Sequence, residues 1–113
     1  MAELGKILAQ QIINDPPTGS QEIYLAPTGQ LTKVESIFVC NTSGSARTFN
    51  ISVDKTGDNP GVPQDKDYLY YQHTLGINET LAITTVIRLE GGDRMEAVAD
   101  DVGVTFNVYG TEY

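Results

Sequence analysis

The sequence predicts an all-β protein: a single antiparallel β-sandwich, of jelly-roll or immunoglobulin-like kind, with an N-terminal arm. Three observations carry this. From residue 20 onward the apolar residues recur mainly at every second position, which is the period of a strand with one covered and one wet face. The segments that carry them are short, and clusters of Gly, Pro, Asn and Asp separate them at the spacing of turns. At 113 residues the chain has the length of one domain, enough to bury roughly two-thirds of the surface its unfolded form exposes. Residues 1–19 read as the arm and residues 20–113 as the sandwich.

In the arm, Leu4, Ile7, Leu8 and Ile12 fall at helical spacings, and Asn14-Asp15-Pro16-Pro17 would stop a helix. Gly5 and the adjacent Ile12 and Ile13 suit extended chain, which is the reading adopted. Either way Ile7, Leu8, Ile12 and Ile13 need cover, on the sandwich or on a neighbouring molecule. They form one candidate protein interface.

A first strand at about 20–26 ends in Ala26-Pro27-Thr28-Gly29, where Pro followed two residues later by Gly reverses the chain. The next strand becomes apolar on both faces toward Ile37-Phe38-Val39-Cys40, as in a central strand covered on both sides or covered by another subunit. Asn41-Thr42-Ser43-Gly44-Ser45 is a polar tip and reads as a hairpin into Arg47–Asp54. In that strand Phe49, Ile51 and Val53 point to the core, and Thr48, Asn50 and Ser52 point outward. Residues 55–65 form the widest connection, with Pro60 and Pro63. Its acidic residues lack the alternate spacing of a calcium loop, so it reads as a surface loop.

Asp67-Tyr68-Leu69-Tyr70-Tyr71-Gln72-His73 follows, with Tyr68 and Tyr70 expected on one face and Leu69 and Tyr71 on the other. Tyrosine buries a large area with few rotatable bonds and keeps a hydroxyl for a partner, so Tyr68, Tyr70 and Tyr71 are the second candidate interface. A roof over the core is the plainer reading of the same residues. A sugar-stacking platform is weaker, since the chain has no Trp. Leu81 and Ile83 point inward in the next strand. Gly91-Gly92-Asp93 reads as a hairpin between residues 86–89 and 94–98. Asp100-Asp101-Val102-Gly103 leads to a last strand with Val104, Phe106 and Val108 inward.

Seven basic against fifteen acidic residues leave a net charge of −8. No cluster of Lys and Arg exists to neutralise phosphates, which argues against nucleic acid and anionic membrane as partners. The lone Cys40 cannot close an internal disulfide or supply a thiolate metal site, and reads as a packed thiol. No apolar run approaches the ~18 residues of a membrane helix, and the N-terminus lacks a secretory pattern, so a soluble protein made in a cytoplasm is expected. The Asn-x-Ser/Thr triplets at Asn41 and Asn78 then read as turn residues rather than glycan acceptors. One histidine, one cysteine and scattered carboxylates form no catalytic constellation. The expectation is a protein that is no enzyme and has no cofactor and no metal.

Several runs resemble a known group when taken in series. Tyr24-Leu25-Ala26-Pro27-Thr28-Gly29, residues 34–43, and Thr48-Phe49-Asn50-Ile51-Ser52-Val53 are followed by Tyr68-Leu69-Tyr70-Tyr71 and Ile77-Asn78-Glu79-Thr80-Leu81. Gly92-Asp93 and the ending Phe106-Asn107-Val108-Tyr109-Gly110-Thr111-Glu112 complete the series. It resembles the small β-sandwich virion proteins of tailed bacteriophages, over most of the chain after residue 20. The loop 55–65 and the N-terminal segment depart from it.

The resemblance implies a structural component of the particle, assembled in the host bacterial cytoplasm. A capsid decoration or cement protein would contact the major capsid protein and copies of itself, as a homo-oligomer. The alternative is a module of tail, neck or fibre with tail or fibre proteins as partners, and in one form of this reading it touches the host surface.

Overall fold

The structure is a computed structural model, and it describes residues 6–13, 21–55 and 65–113. Among the described residues eight strands follow one another: β1 (Lys6–Ile13), β2 (Gln21–Leu25), β3 (Leu31–Asn41), β4 (Arg47–Asp54), β5 (Tyr68–Leu75), β6 (Thr80–Glu90), β7 (Arg94–Ala99) and β8 (Val104–Glu112). A single 3-10 turn, Asp65–Asp67, precedes β5. The strands form two four-stranded antiparallel sheets, in the orders β1-β8-β3-β6 and β2-β7-β4-β5.

The order has a simple logic. β1 pairs with β8, β2 with β7, β3 with β6 and β4 with β5, so the chain is one long hairpin folded at the 55–67 connection. Rolling that hairpin brings β3 beside β8 and β4 beside β7, which completes both sheets. This is the jelly-roll form of the sandwich, and it decides between the two kinds the sequence permits. Lys6–Ile13, within the stretch read as an arm, is an edge strand of the first sheet.

The core lies where the period-two reading put it. Phe49, Ile51, Val104, Phe106 and Val108 are buried between the sheets, with Val34, Ile37 and Val39 of β3 and Met95, Ala97 and Ala99 of β7. Phe49 and Phe106, one from each sheet, meet near edge to face at 6.0 Å, an arrangement aromatic rings prefer. β3 is a central strand, flanked by β6 and β8.

Two expected hairpins are not hairpins. The Asn41–Ser45 tip joins β3 to β4, and Gly91–Asp93 joins β6 to β7, yet each pair lies in opposite sheets. Turn residues report that the chain reverses, and they carry no information about which strand becomes the neighbour. At the first crossing the tie is Asn41, whose buried side chain donates from Nδ2 to the carbonyls of Ser45 at 2.8 Å and Gly76 at 3.0 Å. Its Oδ1 accepts from Ser43 N at 2.9 Å. At the other end of the sandwich Gln30 N donates to Pro27 O, with Gly29 at φ +82°, so the expected reversal after β2 is a type II turn.

The expected surface loop of residues 55–65, with its prolines and the calcium alternative, falls almost wholly outside the described residues, as do Leu4, Gly5 and Asn14–Pro17.

Candidate functional site

The outward side of the β1-β8-β3-β6 sheet is built from small, uncharged and aromatic residues. Strand pairing sets it out in three rows. Thr80, Cys40 and Thr105 share the first; Ala82, Phe38 and Asn107 the second; Thr84, Ser36, Tyr109 and Ile7 the third. None of these ten positions carries a charge, on a chain whose net charge is −8. Among the described side chains charge returns beyond the third row, with Arg88, and with Lys33, whose Nζ lies 3.9 Å from Glu35.

At the centre of this face the rings of Phe38 and Tyr109 meet edge to face, at 5.5 Å and 89°. Phe38 is 38% exposed although it sits mid-strand in the middle of a sheet, Ile7 beside Tyr109 is 51% exposed, and Val86 toward the β6 edge is 60% exposed. A central strand normally packs its large apolar side chains on one side only. Here the second side is offered to the surroundings, which fits a surface that another molecule covers.

The arm residues divide. Leu8 packs against the core while Ile7 faces out. Ile12 and Ile13 are placed by backbone pairing opposite Thr105 and Val104 of β8.

The tyrosine strand differs from its expected geometry. Tyr70 pairs with Ile51, whose side chain is in the core, whereas Tyr68 pairs with Ser52, which points the other way. The register slip between these pairs is a β-bulge, and it separates Tyr68 and Tyr70, which strict alternation puts on one face. Tyr70 consequently packs against the core, 6.1 Å from Phe49 and 5.5 Å from His73. Tyr68 instead meets Tyr71 edge to face at 4.8 Å. Tyr71 is 60% exposed. A second register shift falls at Gln72, which has φ +51° and whose N donates to Asn50 Oδ1.

Where the two sheets gape, between edge strands β5 and β6, lies a groove of about 260 Å³ lined by Ile37, Leu69, Tyr70, Ile83 and Ile87 with Thr84 and Thr85. It continues the apolar character of the β5 edge and carries no charged group.

Polar chemistry is sparse. Cys40 is free and half-buried, and it lies in the opposite sheet from His73. Among the described residues no group of three His, Cys, Asp or Glu side chains is placed to hold a metal ion. Two groups are displaced from their usual titration. Burial, then the neighbouring Glu96 carboxyl, pushes Asp54 up to about 7. Burial, then its bond to Glu112, pushes Tyr24 up to about 12.

Sequence reasoning missed Tyr109, Val86 and the role of Phe38. The doubly apolar run of β3 was the available signal for Phe38. Tyr109 sits at an ordinary outward position of β8, and only pairing shows that it adjoins Phe38 and Ile7.

No family model and no curated protein matches the chain. Solved structures do. A chain in the acidic stable capsid of Helicobacter pylori bacteriophage KHP30 matches over 100% of this chain and 95% of its own length, with a TM-score of 0.56 and 11% identity. A chain of infectious bursal disease virus, Gx strain, matches over 98% of this chain and 40% of its own, with a TM-score of 0.52 and 11% identity. At such identities the likeness is one of fold: the chain has a β-sandwich of the kind these viral capsid structures contain.

Proposed function

We propose that the chain is a virion structural protein of a tailed bacteriophage, and specifically a capsid decoration or cement protein that bridges neighbouring major capsid proteins as a homo-oligomer. The observation that carries this is the uncharged outer face of β1-β8-β3-β6, centred on Phe38 and Tyr109. A strongly acidic protein that offers a neutral, partly aromatic sheet face can be covered there without burying unpaired charge, which is the costly part of association. The fold supports the reading, because a phage-capsid chain of nearly the same length has the same sandwich over its whole extent.

Mechanically, each copy places this face and the exposed Tyr71 edge at junctions between shell subunits. An interface of about 1,200–2,000 Å² suffices for specific attachment, and repetition over a lattice adds avidity. Ile7 joins the face directly; Leu8, packed against the core, holds the strand that carries it.

The test is binding to undecorated capsids. Removal of residues 1–19 would also remove β1 and bare the β8 edge, so a point substitution is cleaner. Phe38→Asp is expected to abolish occupancy while the protein stays folded by circular dichroism. Full occupancy of the shell by this variant would overturn the proposed face. Localisation in an imaged particle to the tail alone would overturn the decoration reading.

A further inference from the structure

The outward side of the other sheet buries charge. Phe49 and Ile51 of β4 and Met95, Ala97 and Ala99 of β7 point into the core, so Ser52, Asp54, Arg94 and Glu96 leave the opposite face. On that outward face Ser52, Asp54 and Glu96 are nevertheless 1%, 0% and 1% exposed, and Asp67 of the 3-10 turn is also buried. Ser52 is paired with Glu96 and Asp54 with Arg94, which makes Asp54 and Glu96 diagonal neighbours within reach of each other.

Among the described residues no hydrogen-bond donor reaches either carboxyl oxygen of Asp54, and Ser52 Oγ, buried on the same side, has no partner among them either. Among the described charged groups around them, Arg94 stands opposite Asp54 in the strand register, yet none donates to Asp54. Arg94 lies 3.9 Å from Glu22 through Nη1, with its Nε unbonded; Lys66 holds Asp67 at 3.2 Å; Lys55 is exposed. Burying an ionised carboxylate without a donor is prohibitive, and such a group neutralises instead. A metal would need more ligands than this site assembles among the described residues. A proton needs only two oxygens.

We propose that Asp54 and Glu96 share one proton at neutral pH, and that this proton latches β4 and the Asp65–Asp67 turn to β7, so that its loss on alkalisation loosens the Tyr68–Tyr71 edge. Burial and the Glu96 and Asp67 carboxyls all raise the affinity of Asp54 for that proton. The sign follows. The folded protein holds a proton that the unfolded chain releases above its ordinary value near 3.8, so stability is greatest at acid pH and declines as pH rises through about 7. The latch is independent of whether the protein decorates a capsid.

The experiment is a carboxyl NMR titration of the intact protein, paired with thermal melts and amide hydrogen exchange across the same pH range in Asp54→Asn. Asp54 is expected to titrate near neutrality. Exchange at β4 and β5 should quicken on alkalisation in the native protein and change little in the variant. An Asp54 midpoint near the ordinary carboxylate value overturns the latch, and this measurement stands even if the variant does not fold. So does an unchanged pH dependence in a folded Asp54→Asn protein. Restoration of alkaline stability by added calcium would replace the proton with a cation and likewise overturn it.

Discussion

The rings of Phe38 and Tyr109 meet edge to face on the outer side of the β1-β8-β3-β6 sheet, one from the sheet's central strand and one from its neighbour. Their partial exposure means the pair contributes modestly to folding and is open to a partner. Phe38→Ala should lower the stability of the isolated protein by about 1 kcal/mol, the scale of an aromatic pair. In capsid binding the same change should cost about tenfold or more, as central aromatic anchors do. Denaturant melts and a capsid titration, run on one protein preparation, separate the two effects.

Gly110 has no room for a side chain. A carbon placed on it would lie 2.1 Å from the Lys33 carbonyl oxygen, which is backbone of the adjacent strand and cannot swing aside. Gly110→Ala should therefore push β8 from β3 and destabilise by about 3 kcal/mol, at the upper end of overpacking costs. The thermal midpoint is the readout, and a fall of roughly 12 °C or more is expected for a domain of this size. A variant as stable as the parent would show that the two strands can separate at little cost.

Asn41→Ala removes the side chain that ties the β3–β4 crossing to the end of β5. The part-buried carbonyls of Ser45 and Gly76 and the buried carbonyl of Leu75 lose a donor. A loss of about 2 kcal/mol is expected, the cost of leaving buried polar groups unmade. Urea unfolding should show the midpoint falling with an unchanged slope.

Tyr24 joins the sheets chemically. Its hydroxyl, on β2, donates to the Glu112 carboxylate of β8 and lies 2.9 Å from Thr32 Oγ1 of β3. Because burial and Glu112 raise its pKa to about 12, the folded protein retains a phenol proton that the unfolded chain loses above about 10. Stability tied to Tyr24 is therefore fully present below pH 10 and is lost as pH rises toward 12. Tyr24→Phe should cost about 1 kcal/mol at neutral pH and should remove this share of the alkaline decline. Phenolate absorbance against pH, followed beside the melt, checks both.

The strands were legible because a residue's neighbour two places on carries the signal. Val104, Phe106 and Val108, or Phe49 and Ile51, announce their buried face through local alternation alone. The same logic misplaced Tyr68 and Tyr70, since a bulge breaks the alternation and leaves no mark in the residues that flank it. It also made hairpins of two crossings, for a turn such as Asn41–Ser45 is built from the same residues whether the chain returns to its own sheet or passes to the other.

By itself the sequence determined the all-β class, the covered side of most strands and the acidic character of the chain, because composition and period-two patterning are properties of short stretches. Only the tertiary structure decided that β3 pairs with β8, that Phe38, Tyr109 and Ile7 share one uncharged face, and that Asp54 and Glu96 are buried side by side. Those facts join residues up to about a hundred positions apart, and they exist only once the hairpin has rolled and sheet pairing has set the register.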